Sequence, residues 1–287
     1  MELCGVVILY LPNKEVIQNI NSYINNFELL ILIDNSPTLS PEISAFIKKT
    51  PSIKLLHNGN NDGIAKRLNE AVKIAIQLGF SHMLTMDQDS FFGDNIFSKY
   101  KENATALFKA NESKVAMVGV NHEENIIDLN SQDIIEVQFL ITSGCILSLN
   151  VAVAIGYFDE SLFIDEVDTE YCYRAITNGY RIIKLNHICM QHQIGDISFK
   201  RSLKNGELTK RSLHSPIRIY YIVRNYLYVN KKYKSKFTIE RARVRKGVFV
   251  SLKNNLLYSN ERIKVVANIF SAIKDFLNNK MYKKNDS

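Results

Sequence analysis

Five short apolar runs, each followed by polar loop residues, constrain the first half of this 287-residue chain more than any other feature. They are Gly5 to Tyr10, Leu29 to Ile33, Ile53 to His57, His82 to Met86 and Val115 to Val120. Continuous apolar runs of this length suit strands buried on both faces, as in a parallel sheet covered by helices. The stretch between the third and fourth runs supplies such a helix. Ile64, Leu68, Ala71, Val72, Ala75 and Leu78 fall on one stripe, Asn61 and Asp62 precede it as caps, and Gly79 closes it. The alternation predicts an α/β domain built on a sheet flanked by helices.

In open sheets of this kind ligands bind beyond the carboxyl ends of the strands, so the residues after each run carry the functional information. Tyr10 follows the first run, Asp34-Asn35-Ser36 the second, Asn58 to Asp62 the third and Asp87-Gln88-Asp89 the fourth. Each set alone reads as a turn. Four polar sets on one sheet edge read as a nucleotide cleft. Asn61-Asp62-Gly63 offers backbone N–H groups to a phosphate or a nucleoside edge, and a plain helix cap accounts for the same residues. Asp87 and Asp89, two positions apart at a strand end, can meet one divalent ion and one nucleotide together. Mg²⁺ or Mn²⁺ suits such a site, since both prefer oxygen ligands and share them with phosphates.

The second half opens with an expected strand from Ile135 to Ile141, a Ser143-Gly144 turn and an apolar run from Cys145 to Leu149. Six carboxylates then crowd between Asp159 and Glu170, ahead of and within a helix expected from Val167 to Gly179. Asp168 and Glu170 suit the helix amino terminus as dipole partners. Asp165 and Glu166 come just before it, where a carboxylate can face a cleft, and crowding of like charges raises one pKa as a general base requires. An alternating strand from Arg181 to Met190 leads to His192. Zinc is disfavoured, because no fourth ligand joins His187, Cys189 and His192. His192 beside Asp89 on a Mg²⁺- or Mn²⁺-type ion is the better reading. Cys4, Cys145, Cys172 and Cys189 are widely spaced and read as free thiols.

The formal net charge of +7 is unevenly placed. From Lys231 to Ser287 there are 15 Lys and Arg against 4 Asp and Glu, so the first 230 residues are net acidic. The cluster from Lys231 to Lys246 is interleaved with Tyr233, Phe237, Ile239, Val244 and Val248, a pattern shared by helices on an anionic membrane surface and by solvated helical faces. No nucleic-acid motif accompanies the charge, and nucleic acid is not an expected partner. No run of eighteen apolar residues occurs, and the amino terminus enters its first strand without a basic leader. The expected location is cytoplasmic.

Together these segments resemble an inverting family-2 glycosyltransferase of the GT-A fold, in particular its bacterial rhamnosyltransferase branch. The resemblance spans Val6 to Asn225 and is carried by VVILYLP, IDNS, NDGIAKRLN, MDQDS, ITSG, GYFDESLFIDEVDTEYCYRA, HQIGD and HSPIRIYYIVRN, in that order. It implies a GT-A domain over residues 1–225 and a basic helical extension over 226–287. It implies that Asp34 recognises the nucleotide base with Tyr10, Asn61 and Lys66 nearby, that Gly63 lies in the same nucleotide-sugar site, and that Asp87 touches the ribose. Asp89 and His192 would hold the metal on the diphosphate. The family's catalytic pair is Glu-Asp, whereas this chain has Asp165-Glu166. The branch often places an aromatic residue second, so Asp165 is favoured as base with Glu166 as alternate. Arg224 and Asn225 match a late motif implied to place donor or acceptor.

The implied reaction moves a sugar, L-rhamnose from dTDP-L-rhamnose or a hexose from a UDP-sugar, onto a hydroxyl of a lipid-linked oligosaccharide. The acceptor would be a growing bacterial surface polysaccharide, and the basic extension would hold the enzyme peripherally at the inner face of the plasma membrane. The acceptor pocket is expected from Asn121 to Asp133 and the carboxyl-terminal helices. A nucleotidyltransferase would need a glycine-rich basic loop after the first strand, which VVILYLPNKE lacks. A non-catalytic nucleotide-sugar-binding or membrane-adaptor module remains the alternative from another class.

Overall fold

The computed structural model describes residues 1–110, 114–122, 134–192, 197–201 and 206–284. It divides into two compact units, one of Met1–Phe163 with Val167–Gln193, the other of Ile164–Glu166 with Ile194–Ser287. The expected domain boundary at Asn225 falls inside a continuous helix, Pro216–Tyr233.

In the first unit the chain runs β1 (Leu3–Leu9), α1 (Glu15–Asn21), β2 (Leu30–Asp34), α2 (Pro41–Lys48), β3 (Ile53–His57), α3 (Ile64–Gln77) and β4 (His82–Asp87). It continues through β5 (Ser90–Phe91), α4 (Ile96–Ala110), β6 (Val115–Asn121), β7 (Ile134–Glu136), β8 (Cys145–Ser148) and α5 (Leu149–Ala154). It closes with α6 (Val167–Thr177), β9 (Arg181–Cys189) and β10 (Gln191–His192). Eight strands form one mixed sheet in the order β3-β2-β1-β4-β8-β6-β9-β7. The first four are parallel, and β8 runs antiparallel to both β4 and β6. Every residue of β2 is buried, whereas β3, at the sheet edge, exposes Lys54 and His57. This is the difference expected between a strand covered on both faces and an edge strand.

An aromatic cluster fills the layer beneath α4. Phe92 lies 5.1 Å from Phe97, and Tyr23 meets Phe92 edge-on at 6.3 Å. The buried Tyr100 hydroxyl donates to Val118 O at 2.6 Å and accepts from Ile146 N at 3.2 Å, which ties α4 to β6 and β8.

The apolar run Ile135–Ile141 contributes only the short β7. The following backbone bonds to β4 instead, with Thr85 Oγ1 donating to Thr142 O at 2.5 Å and Gly144 N to Thr85 O at 2.8 Å, so it cannot stay beside β9. The other expected strands and helices are present to within a few residues at their ends, while α1, α2, α4 and α5 are helices that the expected runs did not include.

The second unit contains the hairpin β11 (Ile197–Arg201) and β12 (Leu208–Ser212), then α7 (Pro216–Tyr233), α8 (Thr238–Tyr258) and α9 (Arg262–Leu277). Ser215 caps α7 by accepting from Arg218 N at 3.3 Å, with Pro216 at the first helical position. Ile219 and Val229 of α7 and Val265 and Ala272 of α9 are fully buried, and Tyr220 donates to Asp275 of α9 at 2.9 Å.

Candidate active site

Parallel pairing brings the polar residues to one edge of the first unit. The register sets His57 beside Asp34, Asp34 beside Leu9, and Asp87 beside Ile8, so Asp34 and Asp87 flank the end of β1. Asp34 is fully buried. Its Oδ1 accepts from Ser36 N at 2.8 Å, and its Oδ2 has no hydrogen-bond partner among the described residues. A buried carboxylate oxygen left without a donor costs about 1–3 kcal/mol, which a ligand N–H would remove.

The Asp87-Gln88-Asp89 loop is braced by side chains with no role in the sequence reading. Gln88 lies in the turn between β4 and β5. Its amide clasps the peptide groups of Tyr10, accepting from Tyr10 N at 2.9 Å and donating to Tyr10 O at 3.2 Å. Asn19 donates to Gln88 O at 2.9 Å. Ser143, from the Ser-Gly turn, accepts from Asp87 N at 3.0 Å and donates to the buried Ser90 hydroxyl at 2.9 Å. Strand β10 pairs with β5 and places the backbone of His192 opposite Ser90, one residue after Asp89. Residues 193–196 of the expected histidine loop and 123–133 of the expected acceptor segment lie outside the described residues.

No group of three or more His, Cys, Asp or Glu side chains gathers into a metal cage among the described residues. The donors present, carboxylates at Asp87 and Asp89 on a braced loop, fit a hard cation that takes most of its oxygens from a diphosphate and water. They do not fit a closed structural site.

At the start of α3 the N-cap is Gly63 and no side chain caps the helix, so Asn61 and Asp62 do not serve as the expected caps. Asn61 Oδ1 accepts from Gly63 N at 3.0 Å, and Lys66, half-exposed, pairs with Asp62 at 3.3 Å. Gly63 has φ +83°, and a Cβ there would stand 2.5 Å from the Phe163 ring and 2.6 Å from Phe163 O. The first helical N–H, that of Ile64, already donates to Phe163 O at 2.7 Å. The glycine is therefore required by Phe163, and that N–H is not open to a phosphate. Arg67, which the sequence reading passed over, is buried and joins the loops after β2 and β3. It donates to Asn35 at 2.7 Å and Asn58 at 2.5 Å and pairs with Asp62 at 3.1 Å. Tyr10 is exposed.

The six crowded carboxylates separate by their partners. Asp159 caps a short turn through Ser161 at 3.1 Å, Glu160 accepts from Asn69 at 2.9 Å, and Asp168 accepts from Thr169 N at 2.8 Å. Glu170 is fully buried against Arg174 at 2.8 Å. These four hold structure.

Asp165 and Glu166 belong to the second unit, and each faces an arginine there. Two nitrogens of Arg218 lie 2.7 Å from the two oxygens of Asp165, while Arg241 Nη1 lies 2.6 Å from Glu166 Oε2. Burial pushes both carboxyls above the usual range, opposed at Asp165 by Arg218 and His214 and at Glu166 by Arg241. The pairs differ in access. The Asp165 side chain is 18% exposed and Arg218 41%, against 9% for Glu166 and 2% for Arg241. Arg241 also donates to Tyr226 O at 3.2 Å and stacks over the Tyr226 ring at 5.0 Å. Glu166 is thus half of a fixed buried pair, while Asp165 has a partner that water reaches.

Arg224 and Asn225, expected at a donor or acceptor, are both fully buried within the second unit. Arg241, counted in the basic cluster, is buried as well, and so are Tyr233 and Phe237. On α8 Arg241 shares the inward stripe with Val244, Val248 and Asn255, all less exposed than their neighbours, a stripe visible in the burial of the folded helix.

This mixed sheet flanked by helices, with acidic residues at the ends of β2 and β4, has the GT-A architecture. Residues 6–163 match glycosyl transferase family 2, and the chain belongs to that family. Among characterised proteins it is 27% identical over 280 residues to the dTDP-rhamnosyl transferase RfbF of Shigella flexneri, covering 91% of this chain and 90% of that one. Among solved structures, S. aureus TarS superposes with a TM-score of 0.57 at 16% identity, over 97% of this chain and 49% of TarS, so the chain spans about half of that protein. GalNAc-T7 with UDP, GalNAc and Mn²⁺ superposes with a TM-score of 0.61 at 9% identity, over 97% of this chain and 57% of that one. Identities this low establish the shared fold.

Proposed function

We propose that this glycosyltransferase moves L-rhamnose from dTDP-L-rhamnose to a hydroxyl of a lipid-linked bacterial oligosaccharide, with inversion at the anomeric carbon. The observation that carries the reading is the grouping of Asp34, Asp87 and the Asp89 loop at the carboxyl edge of the parallel strands in a family 2 chain. The similarity to RfbF supports the choice of rhamnose.

In this reading the open oxygen of Asp34 accepts an N–H of the pyrimidine, Tyr10 and Lys66 lie near the base, and Asp87 receives the ribose hydroxyls. Asp89, with His192 as second ligand, would hold Mg²⁺ or Mn²⁺ on the diphosphate. A divalent ion bound there stabilises negative charge on the departing phosphate. The acceptor oxygen attacks the anomeric carbon as the bond to the diphosphate breaks, and Asp165 takes the hydroxyl proton. Arg218 opposes the rise that burial imposes on the Asp165 carboxyl. One displacement gives an inverted product with no covalent enzyme intermediate.

Incubation with a lipid-linked acceptor and a panel of nucleotide sugars tests this. Transfer from dTDP-L-rhamnose, faster than from UDP-hexoses and with inverted configuration by proton NMR, is the expected result. Transfer from UDP-hexoses alone would replace the donor, and a retained configuration would overturn direct displacement.

The same reading places the enzyme peripherally on the inner face of the plasma membrane. No described helix is long and apolar enough to cross a membrane. The outer face of α8 exposes Ile239, Phe249 and Val250 among Arg243, Arg245, Lys246 and Lys253. On α9 the exposed Ile263, Val266, Phe270, Ile273 and Leu277 recur at alternating spacings of three and four, a single helical stripe. Apolar residues set among cations suit an anionic lipid surface, where each Lys or Arg contributes about 1 kcal/mol. Replacing Arg245 and Lys246 together by Ala is therefore expected to lower binding to phosphatidylserine-containing vesicles about thirtyfold. Equal binding to purely zwitterionic vesicles would contradict the electrostatic reading.

A further inference from the structure

The Asp165-Glu166 loop has a costly backbone. Asp165 has φ +65° and Glu166 φ +63°, and Phe163 just before them has φ +55°. Left-handed conformations in residues with a Cβ cost about 1–3 kcal/mol each and persist only where surrounding groups hold them. In the second unit the holding group is Asn225. Its side-chain Nδ2 donates to Ile164 O at 2.6 Å and to Asp165 O at 3.2 Å, and the residue has no exposed surface.

The orientation of that amide is set from behind. Arg224 Nε donates to Asn225 Oδ1 at 3.0 Å. A guanidinium only donates and a carbonyl oxygen only accepts, so a single amide orientation satisfies both sides, with oxygen toward Arg224 and nitrogen toward the loop. Arg224 is itself enclosed. It lies over the rings of Tyr220 and Tyr221, each 5.1 Å away, and donates to Tyr220 Oη at 3.2 Å and Tyr282 O at 2.7 Å. Lys284 N donates to Tyr221 Oη at 2.8 Å, so the segment after α9 closes the back of the arginine.

We infer that Arg224 and Asn225 form a positioning unit for the base. Asn225 clamps the backbone that carries Asp165, and Arg224, seated between two tyrosines and the segment after α9, fixes the clamp. Neither side chain touches the sugar nucleotide. This rests on Asp165 being the base, and it gives the Arg-Asn pair a role other than the donor or acceptor contact implied by resemblance.

Asn225→Asp separates the clamp from packing, because aspartate keeps the size of the side chain and the bond from Arg224 but donates no hydrogen bond to the loop. Asn225→Ala removes both contacts. Two readouts are taken on each full-length variant: steady-state transfer, and hydrogen exchange of the backbone amides from Phe163 to Val167 with β1 and β4 as internal reference. The expected result is a fall in kcat of about 10²-fold with donor KM within about twofold of wild type, since misplacing a catalytic group by about 1 Å has that effect. Exchange of the loop amides should rise at least tenfold, with β1 and β4 unchanged. A kcat within threefold of wild type, or loop exchange unchanged, overturns the inference. So does a rise in donor KM with loop exchange unchanged, which would return Asn225 to a binding role. Exchange needs no substrate, so the clamp is decided even if wild-type enzyme transfers none of the sugars tried, a result that would instead count against the proposed function.

Discussion

Asp165→Asn is expected to lower kcat by about 10²- to 10⁴-fold, the usual contribution of a general base, while donor KM stays near the wild-type value. The protein should lose no thermal stability. Burial raises the Asp165 pKa in the folded chain, so the stability linked to this group is greatest at acid pH and is lost as pH rises through the folded-state value. Wherever the carboxylate is ionised it therefore costs folding energy, and asparagine removes that cost. Arg218, 41% exposed, can be rehydrated when its partner is gone. The same direction of shift sets the pH profile. Only the carboxylate accepts a proton, so kcat/KM should fall on the acid side through a value above the ordinary aspartate range. Arg218→Ala, which removes the main group opposing burial, should move that limb to higher pH. Glu166→Gln gives the contrast. Arg241 is 2% exposed, and breaking a buried ion pair costs about 3–5 kcal/mol, so the melting temperature should drop sharply whatever happens to kcat. Were the two phenotypes exchanged, Glu166 would be the base.

Asp89→Asn should have the second largest effect, a loss of about 10³-fold in kcat/KM, because metal stabilisation of a leaving diphosphate is worth several kcal/mol. The change is local. Ser90 beside it is buried and bonded to Ser143, and Gln88 before it is bonded to Tyr10, so the loop keeps its course when one carboxylate becomes an amide. The defect should appear in the binding of the nucleotide diphosphate itself, with no acceptor present. An Asp89→Asn enzyme of unchanged kcat/KM would separate the Asp-x-Asp triplet from the chemistry.

The sheet was legible because strands buried on both faces must be written as apolar runs, as β2 is, with five buried residues in succession. The polar strand ends were legible for the same reason, since a parallel sheet sends Asp34 and Asp87 to one edge whatever surrounds them. The partners of those residues were not legible. Ser143 reaches the Asp87 loop across fifty-six positions and Arg241 reaches Glu166 across seventy-five, and no local period announces such contacts. Gly63 shows how one residue satisfies two explanations. Its type suited a phosphate loop, yet the ring and carbonyl of Phe163 already occupy the space where a Cβ would stand. Charge counting misled at Arg241 for a related reason. A total over a helix does not say which face each cation takes, and the inward stripe of α8 includes one.

Calorimetric titration of dTDP-L-rhamnose decides whether acidic residues at the carboxyl edge of this sheet hold a nucleotide sugar through a divalent ion. Wild type and Asp89→Asn are compared, each with Mn²⁺ and with chelator. Binding to wild type should weaken at least tenfold when the ion is removed, and binding to Asp89→Asn should be weak in both conditions. Equal affinity with and without Mn²⁺, matched by Asp89→Asn, would contradict ion-mediated binding.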